Sequence, residues 1–328
     1  MKNCDLRIIT EKTIVCVLIF VLAITLSGCN QDSTVPNWEP AEISHDVADN
    51  KLSKLLWSRQ NIFTEISVSI GLATSTDKVF IAGSTDVNQT STLNALDIFT
   101  GEPVWKSETR ALLPIMADKN GVYVEGGGIG DSVTKYNPDT GEVLWSKGFW
   151  DSGGVMHMLI YEDQIHVYLS PDKHKVLKTS DGKRILSLFS KNPPFFDSRE
   201  CGTAYQTPVY ADDTIYFRKN ESYLKGKICA IDISTGKLKW KSDLNVISNV
   251  VVSEHAVFVL VESGELLALD PSTGQKMAAL GVSFDNQPFV TYNTDTTSGS
   301  FFLAYNVEND ILIAYLGDSR QLFAFKVE

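Results

Sequence analysis

Short alternations of apolar and polar residues recur along the chain and predict β-strands over most of its length. Runs such as VFIAG, VYVEG, IHVYL, IYFRK, VFVLV and ILIAY begin at residues 79, 122, 165, 215, 257 and 311, and turn residues flank each run. A further apolar run precedes each of them. Little in the pattern suggests a helix longer than one turn. The sequence therefore predicts an all-β protein.

One segment recurs four times without gaps and consists of a strand, a Thr-Gly turn and a second strand. The copies are LNALDIFTGEPVW (93–105), VTKYNPDTGEVLW (133–145), ICAIDISTGKLKW (228–240) and LLALDPSTGQKMA (266–278). The Asp or Asn before each turn can bond the turn backbone, and the glycine supplies the positive φ of a tight turn. Two weaker copies are HKVLKTSDGKRIL (174–186) and LFAFK (322–326). The repeat thus predicts a tight hairpin in each copy.

With the two strands before it, each hairpin makes a unit of four antiparallel strands, which is typical of a propeller blade. The last unit lacks its fourth strand, whereas KLLWS (54–58) matches the fourth-strand pattern and has no strands before it. We therefore predict a single β-propeller that the N-terminal strand closes by completing the last blade. Six blades follow from counting the fourth strands, although the weaker copies leave seven or eight open; the counted positions are Trp57, Trp105, Trp145, Leu186, Trp240 and Ala278.

The start of the chain has the pattern of an export signal. A charged segment ending at Lys12 precedes an uncharged apolar run over 13–27, and Gly28 and Cys29 follow. The run is shorter than the roughly 18 to 20 residues that a permanent span needs. Leu26 to Cys29 (LSGC) resembles the lipobox of bacterial lipoprotein signal peptides, in which the cysteine is lipidated. This resemblance implies that Cys29 is the lipid attachment site.

The domain organisation follows from these two patterns. We expect a signal peptide over 1–28, a lipid anchor and flexible tether over 29–53, and the propeller over 54–328. The protein would be exported and anchored to the cell envelope. Asn30 after the cysteine favours the outer membrane, facing the periplasm, in a Gram-negative host; otherwise the anchor would lie at the outer face of the cytoplasmic membrane.

Composition and charge exclude several function classes. A hydrophobic content of 43% allows a large buried core, and a formal net charge of -11 gives no attraction for nucleic acid, so we expect no nucleic-acid partner. Five histidines without metal-ligand spacing predict no metal site. We interpret four of them as exposed strand or loop residues: His157, His166, His174 and His255.

Two cysteines lie outside the leader and the anchor. Cys201 and Cys229 can form a disulfide bond in an oxidising compartment. Cys229 also falls in the apolar run ICAID, where a small buried thiol is equally consistent with the pattern. Both alternatives stay open, because connectivity depends on geometry.

The repeat resembles that of the quinoprotein-like, or PQQ-like, β-propellers, whose approximate pattern is L-x-A-L-D-x-x-T-G-x-x-x-W. The resemblance covers most of residues 54–328. It implies that the repeated tryptophans dock between neighbouring blades and are structural, namely Trp57, Trp105, Trp145 and Trp240. Combined with the lipobox, the resemblance extends to the BamB-type outer-membrane lipoproteins, which assist insertion of β-barrel proteins. It implies a non-enzymatic, lipid-anchored scaffold whose partners are other envelope or outer-membrane proteins.

An enzymatic function is the first alternative, because quinone-dependent dehydrogenases use a related propeller. The alcohol dehydrogenases of that group use an adjacent cysteine pair, and this sequence has no adjacent cysteines. We therefore expect no enzymatic activity and no PQQ or other cofactor. A PQQ-dependent dehydrogenase or quinone sensor, and an extracellular polysaccharide or peptide binding module, are the alternative functions.

The long connections indicate where partners would bind. In an up-and-down blade, the loops between the second and third strands emerge on the same face as the connections between blades, and the long segments fall on this face. Binding residues are commonly placed on such loops. Two loops near blades three and four carry aromatic residues and an arginine, which are typical interface anchors; the candidates are Phe195, Phe196, Arg199, Tyr205, Tyr223 and Leu224. The alternative is that Phe195 and Phe196 cover a blade edge.

Overall fold

The computed structural model describes most of the predicted propeller. The described residues are 53–60, 70–84, 91–109, 111–126, 131–149, 155, 157–161, 163–170, 173–188, 201, 208–219, 225–283, 301–317 and 320–327. They form six antiparallel sheets of four strands each. Among them, no helix has the length and apolar character needed to cross a membrane. The predicted all-β propeller of six blades is confirmed.

The strands follow in chain order, and we number the blades I to VI. The chain starts with β1 (Ser53–Arg59), followed by blade I with β2 (Ile70–Ser75), β3 (Lys78–Ser84), β4 (Ser91–Asp97) and β5 (Pro103–Thr109). Blade II has β6 (Ala111–Asp118), β7 (Gly121–Gly126), β8 (Asp131–Tyr136) and β9 (Val143–Phe149), and blade III has β10 (His157–Tyr161), β11 (Gln164–Ser170), β12 (Lys173–Lys178) and β13 (Arg184–Leu188).

The second half of the chain repeats this arrangement. Blade IV has β14 (Val209–Ala211), β15 (Thr214–Arg218), β16 (Ile228–Asp232) and β17 (Leu238–Lys241). Blade V has β18 (Val251–Val252), β19 (Val257–Leu260), β20 (Glu265–Leu269) and β21 (Lys276–Ser283), and blade VI begins with β22 (Phe301–Asn306), β23 (Ile311–Leu316) and β24 (Gln321–Val327). We letter the four strands of each blade A to D in this order.

The first strand of the chain completes the last blade. β1 pairs antiparallel with β24, with Trp57 opposite Ala324 and Arg59 opposite Leu322. β1 is therefore strand D of blade VI, as predicted. This pairing covers the edge of β24, at which the last sheet could otherwise pair with another chain.

The core lies between the blades. Each of six apolar clusters combines residues from two neighbouring blades, and together the clusters follow the ring once around. The A strands lie nearest the centre, because neighbouring A strands contact one another. For example, the Thr74 hydroxyl donates to the Tyr305 carbonyl at 3.1 Å. The apolar runs are buried on both faces because each sheet packs between two others.

Tryptophans on the D strands bridge to the next blade. Each donates its indole N–H to the second residue of the next C–D turn: Trp57 to the Ile98 carbonyl at 2.8 Å, Trp105 to Pro138 at 2.9 Å, Trp145 to Thr179 at 3.1 Å and Trp240 to Pro271 at 2.7 Å. These are the residues to which the resemblance to the PQQ-like repeat assigns a role in blade packing. A glycine lies beneath each indole ring, and a Cβ placed on Gly101 would come within 2.6 Å of the Trp57 ring. Gly101 has a φ of 69°, so both the turn and the close contact require glycine.

Candidate functional site

The predicted partner-binding residues belong to two connections on the loop face, by which we mean the face with the B–C loops and the connections between blades. Between β13 and β14 lie Phe195, Phe196, Arg199 and Tyr205, and between β15 and β16 lie Tyr223 and Leu224. All six lie outside the described residues, as does Cys29. The patch and the lipid anchor therefore stay predictions. The described strand ends show what holds the bases of the two connections.

A disulfide bond fixes the connection between blades III and IV. Cys201 lies within this connection, and Cys229 lies in β16 opposite Phe217. Their Cα atoms are 6.3 Å apart, and both residues are fully buried. Of the two alternatives that the sequence leaves open, the structure has the disulfide. The bond anchors the segment that carries four of the predicted patch residues to the C strand of blade IV.

The base of the second loop is held by backbone hydrogen bonds. The Lys219 N–H donates to the Lys227 carbonyl at 2.7 Å across the B–C loop of blade IV. Gly226 and Val246 exchange two N–H···O=C bonds of 2.9 Å, which joins the end of this loop to the connection between blades IV and V. The chain entering and leaving residues 220–224 is therefore fixed on both sides.

Polar side chains extend this attachment to blade V. The Lys225 ammonium lies 2.8 Å from a Glu262 carboxylate oxygen, and the Asn245 amide donates to the other oxygen at 2.7 Å. The Lys227 ammonium donates to the Asn245 side chain at 3.0 Å. The Lys225 and Asn245 contacts hold the pKa of Glu262 below its usual range. Together these groups form a network from blade IV to blade V beneath the second loop.

At the end of blade III where β13 leads into the first connection, histidines and a tyrosine face blade IV. His157, Tyr168 and His174 are directly opposite one another on β10, β11 and β12. The Tyr168 and His174 rings stack at 4.4 Å, and His166 Nδ1 lies 3.0 Å from His174 Nε2. Tyr168 packs into the same apolar cluster as the two disulfide cysteines. We call His157, His166, Tyr168 and His174 the histidine cluster.

The interpretation of the histidines as exposed residues is wrong for two of them. His157 is 5% exposed and His174 is 9% exposed. Both lie beside Tyr168 on the face of blade III that packs against blade IV. A search for metal-ligand spacing along the chain missed this cluster, which forms across three strands. The available signal was the alternation of His166 and Tyr168 on one strand, which places both side chains on one face of the sheet.

The electrostatics of the histidine cluster favour neutral rings. Burial lowers the pKa of His157 to about 4, and burial together with the nearby His166 lowers the pKa of His174 to about 4. Burial also raises the pKa of Tyr168 and of Tyr210, which lies across the junction. The cluster is therefore uncharged at neutral pH. In the described part of the chain, no three His, Cys, Asp or Glu side chains are placed to hold a metal ion.

Comparisons with known proteins agree with this architecture. The family model described as outer membrane protein assembly factor BamB matches residues 46–279. Among solved structures, the chain is similar to BamB from Moraxella catarrhalis, with 14% identity over 89% of this chain and 97% of that chain and a TM-score of 0.39. It is also similar to Hsv2 from Kluyvelomyces marxianus, with 11% identity over 79% of this chain and 93% of that chain and a TM-score of 0.53, which shows a shared fold. No curated protein gave a significant match.

Proposed function

The chain belongs to the family of the outer membrane protein assembly factor BamB, and we propose that it is a non-enzymatic scaffold that binds other proteins of the cell envelope. In this proposal Cys29 carries the lipid anchor, and the protein acts in outer-membrane protein assembly from the periplasmic face of the outer membrane. The propeller requires no cofactor for this role. Its partners bind the loop face at blades III and IV.

The observation that carries the proposal is that the chain is held in place at the bases of the two loops. The disulfide between Cys201 and Cys229 anchors one loop, and the Gly226–Val246 hydrogen bonds anchor the other. A fixed base lowers the entropy that a loop loses when it binds, so more of the contact energy appears as affinity. Phe195, Phe196 and Tyr223 supply aromatic side chains of the kind that dominate binding energy at protein interfaces. A rigid ring with aromatic loops supports a docking surface.

Substitution of the aromatic loop residues tests the proposal. We expect the triple variant Phe195→Ser, Phe196→Ser, Tyr223→Ser to lose its partners on copurification from detergent-solubilised membranes. A matched control replaces three exposed apolar residues away from the loops, Phe99→Ser, Val104→Ser and Met277→Ser, and should retain them. Circular dichroism and thermal unfolding check that both variants fold. Retention of every partner by a folded loop variant would contradict the proposal.

The anchor and the absence of a cofactor have separate tests. A Cys29→Ser variant should move from the membrane fraction to the soluble fraction of the exported protein, because it lacks the lipidated thiol. Its persistence in the membrane at the wild-type level would argue against the anchor. Addition of PQQ to the purified chain should change neither its absorption spectrum nor its melting temperature. A saturable change in either would support the dehydrogenase alternative.

A further inference from the structure

Five C–D turns on the turn face, the face opposite the loop face, share one backbone geometry. In blade I, the Asp97 N–H donates to the Glu102 carbonyl and the Gly101 N–H donates to the Asp97 carbonyl, both at 2.9 Å. In blade IV, Asp232, Lys237 and Gly236 make the same two bonds at 2.9 and 2.8 Å. Gly101 and Gly236 have φ values of 69° and 66°. The turn of blade IV is therefore built like the others.

A tryptophan from the preceding blade covers four of these turns. The indole ring lies on the turn glycine, and its N–H bonds the carbonyl of the second turn residue, as Trp240 does with Gly274 and Pro271 in blade V. Trp240 is 7% exposed. We call the space above the glycine and beside this carbonyl the tryptophan slot. Four slots of this protein are thus each filled by an indole ring of its own chain.

Among the described residues, no tryptophan lies in the slot of blade IV. The corresponding residue of blade III is Leu186, which stands opposite Val176 as Trp105 stands opposite Ala95. A leucine is shorter than a tryptophan and has no side-chain donor. Apart from its two neighbours in the chain, no described residue has an atom within 4 Å of a Cβ placed on Gly236, and this glycine is exposed, whereas Gly101 is buried.

The exposure of the neighbouring turn residue supports an open slot. Ile233 is 41% exposed, whereas its counterpart Ile98, which lies beneath Trp57, is 0% exposed. Solvent therefore reaches the second turn residue in blade IV, whereas the tryptophan excludes solvent from it in blade I.

The charge at the slot differs from that in blade I. There, Glu102 follows the glycine and pairs with Arg59, which lies two residues after the docked Trp57. In blade IV the same position is Lys237, which is exposed and makes no ion pair in the described part of the chain. Blade III also has a lysine at this position, Lys183, but Lys183 pairs with Asp181 of its own turn at 2.9 Å. Lys237 has no such partner in the described part of the chain, so a ligand that follows the blade I arrangement would carry a carboxylate close to its indole.

We propose that the open slot of blade IV binds a tryptophan side chain from an acidic, extended segment of a partner protein. The indole N–H donates to the Ile233 carbonyl, the ring covers Gly236, and a carboxylate of the segment pairs with Lys237. The four filled slots identify the side chain, and charge complementarity with Lys237 identifies its neighbours. The proposal adds a second contact on the turn face and rests on the scaffold function only in assuming a protein partner.

A peptide assay tests this proposal without any partner from the cell. The probe is a fluorescein-labelled nine-residue peptide with a central tryptophan flanked by glutamates, titrated with the full-length chain purified in detergent. We expect saturable fluorescence polarisation. A peptide with alanine in place of the tryptophan, and one with lysines in place of the glutamates, should each bind at least about tenfold more weakly, since hot-spot and charge-pair losses are of this order. Equal binding of the alanine peptide would overturn the proposal.

Three variants test whether the peptide binds at the slot. Leu186→Trp fills the slot from within and should weaken peptide binding at least about tenfold while raising the melting temperature, because cavity filling stabilises. The matched Leu186→Ile variant should bind like wild type. Lys237 is exposed, so Lys237→Glu should not disturb the fold. This variant should bind the lysine peptide more tightly than the glutamate peptide, which reverses the wild-type preference. Wild-type binding by both Leu186→Trp and Lys237→Glu would overturn the proposal.

The chain's own Trp38 is a competing occupant. If it filled the slot, Trp38→Ala would strengthen peptide binding about tenfold or more, and this result would contradict a site for a partner. An unchanged affinity supports the partner site.

The peptide assay and the copurification test of the loop face are independent. The peptide assay does not involve Phe195, Phe196 or Tyr223, so its failure would not decide the outcome of the copurification test.

Discussion

The junction between blades IV and V and the junction between blades III and IV are held together differently. At the first, Trp240 and Tyr216 both donate to the Pro271 carbonyl, at 2.7 and 3.2 Å, above a large aliphatic cluster. At the second, the tryptophan position is Leu186, and the described apolar cluster includes the Cys201–Cys229 disulfide. The first junction is held by a docked indole ring and its hydrogen bond, which we call the indole clamp. The second is held by a covalent bond and stacked rings.

This difference relates packing to function. At the first junction, the hydrogen bonds to Pro271 come from an indole N–H, which does not titrate, and from Tyr216, whose pKa burial raises. The junction between blades III and IV contains histidines and a disulfide, and it supports the connection that carries Phe195 and Phe196. The repeat thus has no tryptophan at the junction where the predicted binding loop begins, and the disulfide and the stacked rings stabilise this junction instead.

The largest expected effect comes from removing a clamp. Trp240→Ala should lower the free energy of unfolding by about 3 to 5 kcal/mol, because a buried indole and its hydrogen bond are lost and a cavity remains. Leu186→Ala at the equivalent position should cost less, because the slot is already open. Urea unfolding of both variants measures the contrast. Equal losses would contradict the distinction between the two junctions.

Removal of the disulfide should have the next largest effect. We expect Cys201→Ala to cost about 2 to 4 kcal/mol, as is typical for a native disulfide. Hydrogen exchange should become faster in β15 and β16 of blade IV, while the strands next to Trp105, in blades I and II, stay protected. A uniform increase in exchange around the ring would argue that the bond stabilises the whole propeller and not this junction.

Acid should weaken the junction between blades III and IV selectively. The pKa of His157 and of His174 is about 4 in the folded protein and about 6.5 in an unfolded chain. Between these values the unfolded chain binds more protons, so stability falls as the pH falls from 6.5 to 4. His174→Phe keeps a ring beside Tyr168 but does not titrate, and should flatten this dependence. A folded His174→Phe variant that keeps the wild-type pH dependence would contradict this account.

The smallest expected effect has the opposite sign. Leu186→Trp installs the missing clamp and should raise the free energy of unfolding by about 1 kcal/mol, within the range of cavity-filling substitutions. Urea unfolding at neutral pH measures this gain. A loss of stability would mean that the slot of blade IV cannot accept an indole, despite the turn geometry around Gly236 that it shares with the other blades.

Local sequence patterns determine much of this fold, and they were sufficient to predict it. The Asp, Thr-Gly and Trp positions predicted the hairpins and the blade count, and the unpaired Trp57 strand predicted closure with β24. Such features depend on residues close in sequence. The histidine cluster depends instead on cross-strand register, which aligns His157, Tyr168 and His174 from three strands. Without a register, their spacing along the chain gave the wrong exposure.

The candidate site was less predictable for similar reasons. Pairing of Cys201 with Cys229 requires the path of a long connection, which no repeat specifies. The Leu186 substitution was visible in the sequence, but the open slot became apparent only from the exposure of Gly236 and Ile233. The loop patch at Phe195 and Tyr223 stays a prediction from residue type.

Quantitative copurification tests the scaffold function most directly. The wild-type chain, the Phe195→Ser, Phe196→Ser, Tyr223→Ser variant and the Phe99→Ser, Val104→Ser, Met277→Ser control are purified in parallel from detergent-solubilised membranes, and the bound proteins are quantified by mass spectrometry. The account predicts that the loop variant loses at least about nine-tenths of its bound envelope proteins, corresponding to a hot-spot loss above 1.4 kcal/mol, while the control keeps them. A folded loop variant that keeps the wild-type amounts would contradict it.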